Sequence, residues 1–158
     1  MAAEKPIEFL TASRFYFEYG GNYIPISSCT GITISIETTG TDGPTGVTKG
    51  LKVTNQPTPT GVVHEAITLE FVTSSDSQKI VDWYNACHPS AAEGGATQQM
   101  SEIYNASLVA AKQDASPGIT WQISNAIATK YTTSPVDAEG GDLFKETVEI
   151  SHTDIMWQ

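Results

Sequence analysis

The fold is decided by residues 119–155, ITWQISNAIATKYTTSPVDAEGGDLFKETVEISHTDI. In Ile119-Thr120-Trp121-Gln122-Ile123-Ser124 the large apolar side chains fall on odd positions and the polar ones on even positions. A period of two puts those sets on opposite faces of a strand. The last strand repeats the pattern. Phe144, Val148 and Ile150 share one face, and Lys145, Thr147, Glu149 and Ser151 share the other. Between them, Ser134 to Asp142 has the Pro, Gly and Asp content of a loop. Strands with one apolar and one polar face need a second layer on the apolar side. The other side needs water or a polar cavity.

Working outward, Arg14 to Tyr19 alternates with Phe15, Phe17 and Tyr19 on one face, and Gly20-Gly21-Asn22 signals a tight turn into Tyr23-Ile24. Those two strands are expected to form a hairpin, with Pro25 at an edge or a break because it has no ladder donor. Ile32, Ile34 and Ile36 alternate with Thr33, Ser35 and Glu37, which predicts isoleucines inward and the polar set outward. The pattern then stops. Residues 38–50 hold four glycines and Pro44 and read as a projecting loop. No GK[ST] and no helix follow them, so a phosphate-binding loop is rejected. Val62 to Thr73 reads as one long strand, and Met100 to Ala111 as another.

A single helix is predicted over 76–87. Ser75 and Gln78 have capping-box spacing and Asp76 suits the positive end of the dipole. Ile80, Trp83, Tyr84 and Cys87 follow at i, i+3, i+4 and i+7, a packing stripe that Pro89 terminates. One helix cannot cover every apolar strand face. The expected fold is therefore mainly β, a β-barrel or sandwich of about seven or eight strands with one flanking α-helix. The chain of 158 residues reads as one domain, with residues 1–12 as an N-terminal arm.

Composition works by exclusion. Eight basic residues against eighteen acidic give a net charge of −10, and no two basic residues are adjacent. A groove that tracks phosphates needs clustered Lys or Arg, so sequence-specific nucleic-acid binding is not expected. An acidic surface also repels anionic lipid, and no apolar run approaches the roughly 20 residues of a membrane span. The first residues lack a charged-then-apolar leader pattern, so folding is expected in a cytoplasm. Cys29 and Cys87 are then expected to be reduced. His64, His88 and His152 share no ligand spacing, His152 and Asp154 read as a surface pair, and no G-x-S-x-G elbow occurs. No catalytic residue, cofactor site or metal site is expected.

Several short motifs keep a common order along residues 13–155. They are Arg14-Phe15, Gly20-Gly21, Cys29-Thr30-Gly31-Ile32, Glu37-Thr38 before the glycine-rich loop, Ile67-Thr68-Leu69, and Asp82-Trp83-Tyr84-Asn85. Trp121-x-x-Ser124-Asn125-Ala126 follows, then Asp137-Ala138 with Asp142, and the acidic pattern of the last strand. Together they resemble the inner tube proteins of contractile phage tails and phage-tail-like contractile injection systems, which are similar to haemolysin-coregulated protein. The chain departs from the family pattern at Ala128, where proline is frequent, and at Glu70 to Thr73, where basic residues are frequent. These departures bear on the subfamily more than on the fold.

The resemblance implies a structural subunit and not an enzyme. Hexameric rings would stack into a hollow tube inside a contractile sheath and deliver cargo through a target envelope. Further partners would be baseplate or spike and terminator proteins, and the subunit itself would not insert into a membrane. In a contractile-tailed phage the same tube would conduct DNA. The remaining readings are a ligand-binding β-sandwich and an enzyme whose site forms only in three dimensions. Under the tube reading, Thr39, Asp42, Pro44, Thr45, Val47 and Lys49 would meet the next ring. Thr33, Ser35, Glu37, Lys145, Thr147, Glu149 and Ser151 would face the lumen, and Ile80, Trp83 and Tyr84 would pack the helix.

Overall fold

The computed structural model describes residues 10–40, 46–47, 53–54, 57–88, 99–135 and 141–158. The strands are β1 (Phe15–Tyr19), β2 (Asn22–Ile24), β3 (Ser28–Thr30), β4 (Ile34–Thr39), β5 (Gly46–Val47), β6 (Val53–Thr54), β7 (Thr58–His64), β8 (Ile67–Val72), β9 (Tyr104–Ala111), β10 (Pro117–Thr133), β11 (Lys145–Ser151) and β12 (Asp154–Trp157). The helix α1 spans Gln78–Cys87. Eight strands form one sheet in the order β2-β1-β9-β10-β11-β8-β3, with β12 also paired to β10. The β1–β2 hairpin forms as the Gly20-Gly21 signal predicts, both glycines having positive φ, and β2 ends just before Pro25.

The long strand β10 is the spine. Its first half pairs with β9 on one edge and β12 on the other, and its second half pairs with β11. Register shifts lie between Ile123 and Ala126 and between Ala128 and Lys130, and Asn125 has φ +52°. Each bulge adds a residue and reverses which parity faces inward. Ile123 is therefore buried from an odd position, while Ala126 and Ala128 are buried from even ones. The bulges bend β10 so that its two halves serve two walls around one core. Phe17, Ile24, Leu69, Phe71, Ile123, Val148 and Ile150 fill that core. This is the mainly β, barrel-like sandwich with a flanking helix that the alternation implies.

Three boundaries differ from the sequence expectation. Val62 to Thr73 is two strands broken at Glu65-Ala66, and the parts belong to different sheets. Met100 lies in a short 3-10 turn at Gln99–Ser101, exposed, and strand β9 starts only at Tyr104. The helix begins at Gln78 without the Ser75–Gln78 box. Ser77 instead turns back, its hydroxyl donating to the Ser74 carbonyl at 2.8 Å and accepting from the Ser74 N–H at 2.9 Å. Helix α1 stops at Cys87, and His88, which precedes a proline, is extended.

Candidate functional site

Strands β3 and β8 pair antiparallel, and their continuations β4 and β7 pair as well, but as a separate two-stranded ribbon. The join is a hinge. On one strand the Thr33 N–H bonds to the Gly31 carbonyl at 2.8 Å and Gly31 has φ +88°. On the other, Glu65 and Ala66 lie outside both strands. A Cβ on Gly31 would collide with the Ala66 carbonyl oxygen, so only glycine permits this crossing.

Beyond the hinge the ribbon has two different faces. Ile34 stands opposite His64 and Ile36 opposite Val62, whereas Ser35 stands opposite Val63 and Glu37 opposite Gly61. The division of Ile34 and Ile36 from Ser35 and Glu37 is as the alternation predicts. Ile32, before β4, is half-buried against the core, but the inward placement of the other two isoleucines is not found. Ile34 is 51% exposed, Ile36 60% and Val62 57%. Among the described residues, β4 and β7 pair only with each other, and this face is left exposed. A two-stranded ribbon is marginal in water by itself, and three adjacent aliphatic side chains in solvent mark a surface awaiting a partner.

A second surface is the polar side of the β10–β11–β8–β3 wall. Lys145, Thr147, Glu149 and Ser151 lie on it, Lys145 exposed and the other three half-buried. The Lys130 ammonium donates to Glu149 at 2.7 Å and the Lys145 ammonium to Glu70 at 3.1 Å. The Lys145 and Ser27 hydrogen bonds hold the Glu70 carboxyl below its usual range. Two lysines thus offset two glutamates across this wall. Ser35 and Glu37, also exposed, belong to the ribbon, with exposed Thr33 at its root; β4 pairs with β7 and not with β11. The two candidate lumen faces therefore sit on separate sheets. Of the candidate ring-to-ring residues, Thr39 ends β4 and is exposed, and Val47 pairs with Val53 between β5 and β6. Asp42, Pro44, Thr45 and Lys49 lie outside the described residues.

Helix α1 packs against β10 as its stripe requires. Ile80 and Trp83 are buried and Tyr84 is half-buried. Trp83 stacks on Tyr19 with centroids 4.4 Å apart, meets Tyr104 edge-on, and donates its Nε1–H to the Glu102 carbonyl at 2.8 Å. Phe144 is partly exposed and lies just before β11, so it is not a core residue. Its place on the inward face is continued by Glu146, a carboxylate that sequence reading passed over. Glu146 is buried and accepts the Tyr131 hydroxyl at 2.6 Å. Burial, then the Glu146 hydrogen bond, pushes the Tyr131 phenol up to about 12. The signal was an acidic residue in phase with Val148 and Ile150.

Both thiols are free; burial pushes Cys29 up to about 11 and also raises Cys87. Among the described residues no three His, Cys, Asp or Glu converge as metal ligands, and no helix is long and apolar enough to cross a membrane. His64 and His152, which share no sequence spacing, do meet. Their rings lie 5.4 Å apart at the hinge, with Asp154 Oδ1 3.7 Å from His64 Nε2. His152 and Asp154 therefore form part of a three-residue cluster and not a pair on one strand.

Residues 11–156 match the family described as T4-like virus tail tube protein gp19. No curated protein sequence matches the chain. Among solved structures, a chain of the PVC sheath-tube complex of an extracellular contractile injection system in the extended state superposes with a TM-score of 0.73. It is 19% identical, over 99% of this chain and 93% of that one. A chain of the anti-feeding prophage tube terminating cap gives 0.75 at 16% identity, over 100% and 99%. Hcp1 from Flavobacterium johnsoniae gives 0.58 at 17% identity, over 94% of each chain. At these identities the superpositions speak for the fold.

Proposed function

Because this chain belongs to the T4-like virus tail tube protein family, we propose that it is the structural subunit of a contractile injection system's inner tube. Six copies close a ring, rings stack into a hollow tube, and a contractile sheath drives it through a target envelope. Assembly takes place in the cytoplasm, and the partners are sheath, baseplate or spike, terminator, and cargo in the lumen. The subunit carries no catalytic role and no cofactor, and residues 1–158 act as one tube domain. The alternative, the tube of a contractile-tailed phage conducting DNA, rests on the phage family itself; particles purified with DNA inside would favour it.

The observation that carries the reading is the uncovered ribbon. Ile34, Ile36 and Val62 are exposed on a two-stranded ribbon that pairs with no other described strand. A neighbouring copy would cover them, and strands shared between copies would also remove exposed sheet edges. With that closure, the polar faces of β4 and β11 would line the bore. The pairing of Glu149 with Lys130 and of Lys145 with Glu70 favours a β11 wall of low net charge. The 38–50 segment is proposed to contact the next ring.

Electron microscopy of purified protein tests this. The unmodified chain should give rings or tubes. Ile36→Lys should give a folded monomer, and a chain with residues 40–50 cut to a short turn should give rings without tubes. Tubes from the Ile36→Lys protein would refute the role of the ribbon, and a monomer under all conditions would refute the tube subunit.

A further inference from the structure

The hinge between body and ribbon is closed by two histidines. His152 lies between β11 and β12, immediately past the point where β11 pairs with β8, and its Nε2 is 3.0 Å from the Glu65 carbonyl. A carbonyl only accepts, so Nε2 carries the hydrogen and Nδ1 of the neutral ring is bare. His64, the last residue of β7, packs edge-on against this ring at 5.4 Å. The Nδ1 atoms of both rings are buried without a partner. A bare Nδ1 tolerates this position, but a protonated one would be a buried donor with no acceptor. The charged or titratable groups facing His152 are His64 on β7 and Asp154 at the start of β12, and Glu65, in the link to β8, meets it through its backbone carbonyl.

We propose that His64 and His152 form a proton-operated latch at the root of the ribbon. Neutral rings hold the ribbon against the body. Protonation of His152 adds a hydrogen to its buried Nδ1, a donor that finds an acceptor only when the rings separate, and sets a charge against the His64 ring, whose centroid is 5.4 Å away. Burial lowers the pKa of His152 below its usual 6.5; the Glu65 carbonyl and Asp154 oppose this without reversing it. A histidine whose folded-state pKa is depressed stabilises the docked form fully above about pH 6.5. That contribution is lost as the pH falls toward the depressed value. The consequence for assembly, that acidification frees the ribbon and dissolves the tube, rests on the reading given above.

Hydrogen exchange at pH 7.5 and 5.0, corrected for intrinsic rates and read on the unassembled full chain, decides the latch. Amides of 34–39 and 58–64 should lose protection at least ten-fold at the lower pH while those of 104–111 keep theirs. His152→Gln keeps a donor for the Glu65 carbonyl but cannot take a proton, and should abolish this loss. Asp154→Asn removes the opposing anion and should move the release to higher pH; it decides the matter alone if His152→Gln does not fold. No loss at pH 5.0, equal loss in ribbon and body, an unchanged response in folded His152→Gln, or an unshifted release in Asp154→Asn would overturn the latch. Electron microscopy at the two pH values reads the tube separately, so a chain that forms no tubes at either pH sinks the tube reading and leaves the exchange result standing.

Discussion

Replacing Trp83 with alanine tests how the helix is held. The indole is 3% exposed, stacked on Tyr19 at an interplanar angle of 17° and bonded through Nε1–H to the Glu102 carbonyl. Removing a buried Trp costs about 3–5 kcal/mol, including the cavity it leaves. For a chain of this size each kcal/mol moves Tm by roughly 2–4 °C, so Trp83→Ala should melt roughly 6–20 °C below the unmodified protein. Trp83→Phe keeps a stacked ring but loses the N–H bond, worth about 1 kcal/mol, and should fall by only a few degrees. Trp157→Ala is the control. That side chain is 73% exposed on the terminal strand, and its loss should stay within about 0.5 kcal/mol. The assay is thermal unfolding of unassembled protein, followed by near- and far-ultraviolet circular dichroism. A Trp83→Ala shift below about 2 °C, or one equal to that of Trp157→Ala, would show that the helix is peripheral and the aromatic stack energetically idle.

Gly31→Ala should destabilise more than Gly21→Ala. Both residues have positive φ, worth roughly 1–2 kcal/mol against alanine, but only at Gly31 would the new methyl meet the Ala66 carbonyl; equal losses in Tm would refute a sterically locked hinge. Cysteines placed at Thr33, Ser35, Thr147 or Ser151 should react in assembled tubes with small reagents and be shielded from bulky ones. Equal labelling by a bulky reagent in tubes and in free subunits would put those positions on the outside.

His64 and the Gly31 crossing lie on the two strands of one hinge, and His152 reaches it from the β11–β12 link. These contacts join the ribbon to the body at its root, while Ile34, Ile36 and Val62 beyond them are exposed.

The amino-acid sequence by itself determined most of the elements and the sidedness of the alternating strands. Period-two alternation in β1, β4, β8 and β11, the double glycine of the first hairpin, and the i, i+3, i+4, i+7 stripe of α1 are local properties, and local sterics enforce them in any context. Even the motif order that carries the family resemblance is a one-dimensional property. Tertiary structure decided what covers each face. Ile34 and Ile36 alternate as cleanly as Ile67 and Leu69, yet the first pair is exposed and the second buried. Periodicity records which residues share a side and carries no information on what lies against that side. Inside β10, the bulges at Asn125 and after Ala128 switch the buried parity without any glycine to announce them. His64 and His152 meet only because β7 and the β11–β12 link converge on one hinge, a contact between distant residues that no spacing rule encodes. Glu146 was in phase with the core from the start. Folding brought the Tyr131 hydroxyl to its Oε1, which offsets part of the cost of leaving water, while Oε2 is buried without a partner.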